Sequence, residues 1–89
     1  MQPTSPKWCY LCGRQTDLEK HHIYAGIGNR KWSERYGLWV YLCGSCHRGS
    51  RGAQYEKQIN VRLKEEGQRE FEKTHTREEF RQIFGKSYL

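Results

Sequence analysis

Leu42-Cys43-Gly44-Ser45-Cys46-His47 is the stretch that decides the fold. Two cysteines with two residues between them close a tight turn that aims both sulfurs at one point. Such a turn is half of a tetrahedral metal site. The other half stands upstream at Cys9-Tyr10-Leu11-Cys12, and the chain has no further cysteine. His47 follows directly on the last of the four, so the turn that closes the site also sets where this imidazole points. Between the two knuckles lies His21-His22. The expectation is a structural zinc on Cys9, Cys12, Cys43 and Cys46. That zinc places His47 opposite His21 and His22, where a second metal site forms.

A chain of 89 residues makes one small domain. With 35% hydrophobic residues and a mean hydropathy of -1.06, its core is thin, and chains of this size often need a staple. Bound zinc supplies one, because structural zinc contributes folding free energy directly. Disulfides are the alternative use of four cysteines. Paired Cys-x-x-Cys knuckles with nearby histidines, and no secretory signal ahead of them, favour metal. A reducing, cytoplasmic setting follows from that choice. No stretch reaches transmembrane length, so no membrane partner is expected.

The formal net charge is +6, and it is unevenly spread. Up to Ala53 there are eight Lys/Arg against three Asp/Glu; from Gln54 onward there are eight against seven. The basic excess therefore accompanies the cysteine and histidine motifs. It fits either a polyanion partner, nucleic acid first, or a generic basic surface.

Residues 1–6 hold two prolines and no apolar pattern, and read as a disordered tail before a single domain over 7–89. Trp8 to Tyr10 reads as a short strand entering the first knuckle. Leu18 to Tyr24 is a second extended segment and carries both histidines. Leu38-Trp39-Val40-Tyr41-Leu42, apolar and β-favouring throughout, is the clearest strand and pairs with it as a hairpin. The loop between them holds Arg30, Lys31 and Arg35 beside Trp32 and Tyr36. Interleaved cations and aromatics suit a nucleic-acid backbone, although Trp32 serves equally well as core. Ser33 is placed to cap a single helical turn through Tyr36. Arg48-Gly49-Ser50-Arg51-Gly52 is a basic turn. A helix follows from about Ala53 to Lys73, with Tyr55, Ile59, Leu63 and Phe71 near one face, and Gly67 weakens it by about 1 kcal/mol relative to alanine. A last helix opens at Thr76 with a Thr76/Glu79 capping box and ends at Gly85. His75, between the two helices, is expected in solvent.

Taken together, Cys-x-x-Cys, then His-His at the end of a strand, then a strand ending in Leu-Cys-x-x-Cys-His, resembles the HNH (His-Me finger) endonuclease family. The closing Phe84-Gly85-Lys86-Ser87-Tyr88 is similar to its small phage and prophage members, and the resemblance runs over nearly the whole chain from Cys9. It implies a small α+β fold: a zinc-clamped ββα-metal core over about residues 7–60 and a helical extension over about 61–89. It implies that His21 and His47 bind a catalytic divalent ion (Mn2+, Ni2+, Mg2+ or Zn2+) and that His22 is the general base. The implied activity is metal-dependent DNA hydrolysis, leaving 5′-phosphate and 3′-hydroxyl ends. The implied source is phage or prophage, acting in the cytoplasm of a bacterial host with a phage protein as a further partner.

Two positions depart from the family pattern. The family often has Asn just ahead of the second strand, where this chain has Gly37; Asn29, in the same loop, is the candidate substitute. Related phage proteins often carry a further His near the position of Gln54, itself a poor metal ligand. These departures motivate an alternative, a catalytically weak or inactive zinc-dependent nucleic-acid-binding or phage accessory module.

The chemistry stands apart from the resemblance. Phosphodiester hydrolysis needs a water made nucleophilic and a leaving oxyanion made tolerable, which a near-neutral imidazole and a divalent ion provide. Arg30, Lys31, Arg35, Arg48 and Arg51 are the candidates for neutralising phosphates. Against this, His21 and His22 can be an ordinary polar pair, or alternative zinc ligands.

Overall fold

The apolar run from Leu38 to Leu42 separates into two faces. Leu38, Val40 and Leu42 are 1%, 0% and 0% exposed, while Trp39 and Tyr41 between them are only half-buried, as strand alternation requires. This strand, β2 (Trp39–Cys43), pairs antiparallel with β1 (Leu18–His22). His21 stands opposite Val40 and His22 opposite Trp39, and one further bond, Ile23 N to Leu38 O at 3.1 Å, extends the ladder. The predicted hairpin is present, with β1 stopping at His22 and β2 running on into the first cysteine of the second knuckle. The computed structural model that shows this describes residues 1–2, 5–26, 28–49, 52–53 and 56–89. Arg51, Gln54 and Tyr55, which entered the reading above, lie outside the described residues, as do positions 3, 4, 27 and 50.

Trp8 to Tyr10 is not a strand. Its backbone groups go to the knuckle instead: Cys9 N donates to Arg14 O at 2.7 Å and Gly13 N to Cys9 O at 2.9 Å, leaving one bond, Tyr10 N to Tyr41 O at 2.8 Å, toward β2. At the start of the chain, where composition predicted disorder, Met1 packs on the core. Gln2 accepts from Tyr41 N at 2.6 Å.

Helix α1 (Arg30–Arg35) fills the loop between the strands. Ser33 does not cap it. Ser33 lies inside the helix, 0% exposed, and its hydroxyl donates to Tyr24 O at 2.9 Å and accepts from Tyr24 N at 3.0 Å. That pair of bonds holds α1 to the chain just beyond β1. Asn29 is the N-cap residue, without a side-chain cap bond.

Beyond β2 come α2 (Gly44–Arg48), α3 (Lys57–Phe71) and α4 (Arg77–Phe84). On α3 the inward ridge is Ile59, Leu63, Gly67 and Phe71, each four residues from the last. Leu63, Gly67 and Phe71 are buried. Gly67 belongs to this ridge: a Cβ there would lie 2.9 Å from the Tyr24 hydroxyl and 3.3 Å from Ile23 Cδ1. Glycine thus lets α3 lie close on the end of the hairpin, and Tyr24 Oη donates to Lys64 O.

The capping box at Thr76 forms as read, with Glu79 N donating to Thr76 Oγ1 at 3.1 Å and Thr76 N to Glu79 Oε1 at 3.0 Å. Gly85 ends α4 at φ 93°. Phe71, Phe80, Phe84 and Tyr24 form one aromatic cluster, Tyr24 and Phe84 at 4.4 Å between ring centroids. Gln68, 0% exposed, accepts from Tyr88 N at 2.7 Å and so ties the chain's end to α3. His75 is half-buried rather than solvated. Its ring stacks on Phe71 at 4.5 Å, because the turn between α3 and α4 folds back over the aromatic cluster.

The described residues thus form a small compact α+β fold with a two-stranded antiparallel sheet and four helices. None of these helices is long and apolar enough to cross a membrane.

Candidate functional site

The cysteines come first, because they set where everything after β2 lies. Cys43 ends β2, Cys46 sits in α2, and Cys9 and Cys12 flank the turn closed by the Gly13 amide. The four sulfurs lie within 4.8 Å of one another, with Cys12 and Cys43 Sγ 3.6 Å apart. Sulfurs arranged tetrahedrally at about 2.3 Å from zinc stand about 3.8 Å from each other. The set is positioned to bind a metal ion. No disulfide joins any of the four, and one cluster of four sulfurs is the arrangement the metal reading expects. Burial raises the Cys9 thiol, but the backbone amides of Cys43, Cys12 and Leu11 outweigh it and hold the group at about 6. Burial pushes Cys46 up. The thiolate is the metal-binding form, so cation binding at such a set displaces protons.

The exit from the knuckle is equally constrained. Ala53 N donates to Cys46 O at 2.7 Å. A Cβ on Gly52 would lie 2.7 Å from the same carbonyl oxygen, so the chain passes here only as glycine.

Strand alternation then sorts the histidines. Glu19 and His21 share one face of β1, and Lys20 and His22 the other. His47, carried by α2, meets the first face. Its Nδ1 is 2.8 Å from Glu19 Oε1, and its ring centre is 5.1 Å from that of His21 at an interplanar angle of 72°. Glu34, carried by α1, meets the second face. Its Oε2 is 2.7 Å from His22 Nε2, and Lys20 Nζ donates to its Oε1 at 3.1 Å. His21, His22 and His47 all line one open cleft of about 690 Å³, together with Lys20, Arg30, Asn60 and Lys64.

The carboxylates decide the tautomers. An ionised carboxylate only accepts, so the His47 nitrogen facing Glu19 is Nδ1–H and the lone pair of the neutral ring sits on Nε2. By the same argument the neutral form of His22 donates through Nε2 and carries its lone pair on Nδ1. Both carboxyls stay ionised at neutral pH. The hydrogen bond from His47, then that from Arg48, lowers Glu19; the bond from His22, then that from Lys20, lowers Glu34. His21 is 8% exposed. Burial, reinforced by the charges of His47, His22 and Lys64, brings its pKa down to about 4. At pH 7 it is neutral, the form that can ligate a cation.

Of the basic residues singled out in the sequence, Arg30 lines the cleft. Arg48 instead pairs with Glu19, Nη2 to Oε2 at 2.8 Å. Lys31 and Arg35 lie over the Trp32 ring, at 5.2 and 5.6 Å from its centre, and do not line the cleft. Arg51 and Gln54 fall outside the described residues. Asn29 stands at the N-cap position of α1 and does not line the cleft; the asparagine that does is Asn60 on α3, its Nδ2 donating to Ala53 O at 3.3 Å. Glu19, Glu34, Asn60 and Lys64 were missed in the sequence. Period-two alternation through Leu18 to His22 could have placed Glu19 beside His21. Nothing local signals that α3 borders the cleft.

The chain matches no protein-family model, no curated protein and no solved structure.

Proposed function

We propose that this protein is a metal-dependent endonuclease of the HNH (His-Me finger) type that hydrolyses phosphodiester bonds of DNA. The observation that carries the reading is the convergence of His21, His22 and His47 in one basic cleft. Two come from the end of β1, and the third stands one residue beyond the last cysteine of the knuckle. The order β1, β2, α2 around that cleft supports a ββα-metal core, with zinc on Cys9, Cys12, Cys43 and Cys46 as its clamp.

His21 and His47 are the donors this reading assigns to a second cation. His21 is neutral at pH 7, and Glu19 orients the His47 ring. His21 and His47 would hold a divalent ion, which when bound supplies charge to a phosphoryl oxygen and the leaving 3′ oxygen. Two imidazoles suit Mn2+, Ni2+ or Zn2+ better than Mg2+, which prefers oxygen ligands. His22 takes the proton of the attacking water, and Glu34 fixes which of its nitrogens is the base. Lys20, Arg30 and Lys64 neutralise the phosphates on either side. A phage or prophage source, a host cytoplasm and a phage protein partner rest on the sequence resemblance.

The second reading is a zinc-dependent nucleic-acid-binding module that does not cut. It is favoured by Asn29, the candidate for the family's bracing asparagine, not being among the residues that line the cleft. Incubating the purified protein with supercoiled plasmid and Mn2+ separates the two. Nicking that disappears in His22→Ala supports the nuclease; retention of plasmid without any nicking at high protein concentration supports the binding module.

A further inference from the structure

Two large rings of the hairpin stand outside the core. Trp32, Tyr36 and Tyr10 are half-buried and pack against the core cluster; Trp39 and Tyr41 are half-buried and, among the described residues, do not. They face away from Leu38, Val40 and Leu42 and touch each other edge to face, ring centres 5.2 Å apart. Cations flank both rings: Lys20 Nζ lies 4.2 Å from the centre of Trp39, and Lys7 Nζ 5.2 Å from that of Tyr41. The register sets His22 opposite Trp39 and Lys20 opposite Tyr41. Cross-strand partners share a face, so the rings lie on the side of β1 that carries His22. Lys20 and His22 also line the cleft. The aromatic face is therefore continuous with the site.

Large rings left half-exposed outside the core cluster call for another use. Two aromatic rings with ammonium groups beside them, running into a cleft lined by Lys20, Arg30 and Lys64, match a nucleotide in both of its parts. The cations suit the phosphate and the rings suit the face of a base. In a duplex each base face is covered by its neighbours. Only an unpaired base can offer its face to Trp39.

We infer that the outer face of the β1–β2 hairpin, centred on Trp39 and Tyr41, is a stacking platform for an unpaired base next to the phosphate held in the cleft. The preferred substrate is then single-stranded or locally unpaired nucleic acid. The inference deepens the proposed function by naming its substrate class, and rests on that reading only for what happens to the phosphate. Lys20, whose ammonium rests on Glu34 at 3.1 Å as well as over the ring, exchanges that carboxylate for the phosphate when the strand binds.

The test is binding without added divalent ion, read by fluorescence anisotropy on labelled oligonucleotides of one sequence, single-stranded and duplex. The wild-type protein should bind the single strand more tightly. Trp39→Ala should weaken single-strand binding by about 5- to 150-fold, the scale of one lost base–aromatic stack, and change duplex binding by no more than about twofold. Trp39→Phe, which keeps a ring, should retain most of the affinity. Tyr41→Ala is the second variant and should show the same selective loss. Zinc content and melting temperature of each variant should stay near wild type, because neither ring packs in the core. Equal affinity of the wild type for both forms, or equal loss on both forms in the folded variants, overturns the inference. A protein that binds this way and never cuts sinks the nuclease reading and leaves the platform standing; one that cuts but shows no preference does the reverse.

Discussion

His22 Nε2 and Glu34 Oε2 lie 2.7 Å apart, a contact that ties the end of β1 to α1 across twelve residues of chain. Glu34 is an exposed side chain with no place in the core. Its partners are Lys20 and His22. An amide in its place keeps the size and loses the charge that selects the His22 tautomer. Glu34→Gln should therefore melt near the wild-type temperature and cut about 10–100-fold more slowly, the scale seen when carboxylates that orient imidazole ligands are removed. Cleavage at the wild-type rate would show that His22 needs no such holder.

The ridge of α3 makes a prediction that helix propensity alone gets backwards. Alanine is favoured over glycine in a helix by about 1 kcal/mol, yet a methyl at Gly67 would press on the Tyr24 hydroxyl and Ile23. Overpacking costs about 1–3 kcal/mol, so Gly67→Ala should lower the melting temperature. Leu63, 1% exposed on the same ridge, should lose about 2–5 kcal/mol on truncation to alanine. A Gly67→Ala protein more stable than wild type would mean that α3 can move away from the hairpin without cost.

Acid should weaken the protein through His21. Folded, this imidazole titrates at about 4 because it is buried; its ordinary value is 6.5. The unfolded chain takes up the proton first as pH falls. The stabilisation is thus complete above about 6.5 and is lost as pH drops through that value toward 4. Without added divalent ion, the melting temperature of the wild type should fall more steeply between these limits than that of His21→Asn. Parallel curves would place His21 in contact with water.

Chemically local features were legible in the sequence. The Thr76 capping box needs only Thr76 and Glu79 and forms as read; the two Cys-x-x-Cys pairs bring their sulfurs together as expected, the second as the start of α2 rather than as a tight turn. Misreadings came where a distant partner claims the group. The Ser33 hydroxyl looked like a helix cap, but it clamps the Tyr24 backbone nine residues away. Trp8 to Tyr10 has strand-forming side chains, but its backbone is spent on the knuckle. The run Leu38 to Leu42 looked uniformly apolar; only the sheet's one-sided burial shows that Trp39 and Tyr41 face outward. Loop position singles out Asn29 in the sequence, whereas Asn60 borders the cleft only because α3 packs beside it. The histidine cleft itself was anticipated from His47 following the last cysteine.

Cys43 should matter for a different reason from the histidines. Its sulfur belongs to a closed four-thiol set, and its backbone leads directly into the segment bearing His47. Cys43→Ser should lose zinc and folding together, since metal binding and folding are linked. A cooperative melt at the wild-type temperature with no zinc bound would show that the knuckles are not what holds this fold.

The most direct test of the account is the cleavage rate of His22→Ala, measured on protein whose zinc content is known. The residue is no ligand of the cysteine site. The variant should therefore keep the same zinc per chain as wild type, still bind DNA, and cut about 10²–10⁴-fold more slowly, the range for losing acid–base catalysis. Cleavage at the wild-type rate would contradict the assignment of His22 as the base, and loss of the zinc would place the histidine pair in the structural site instead.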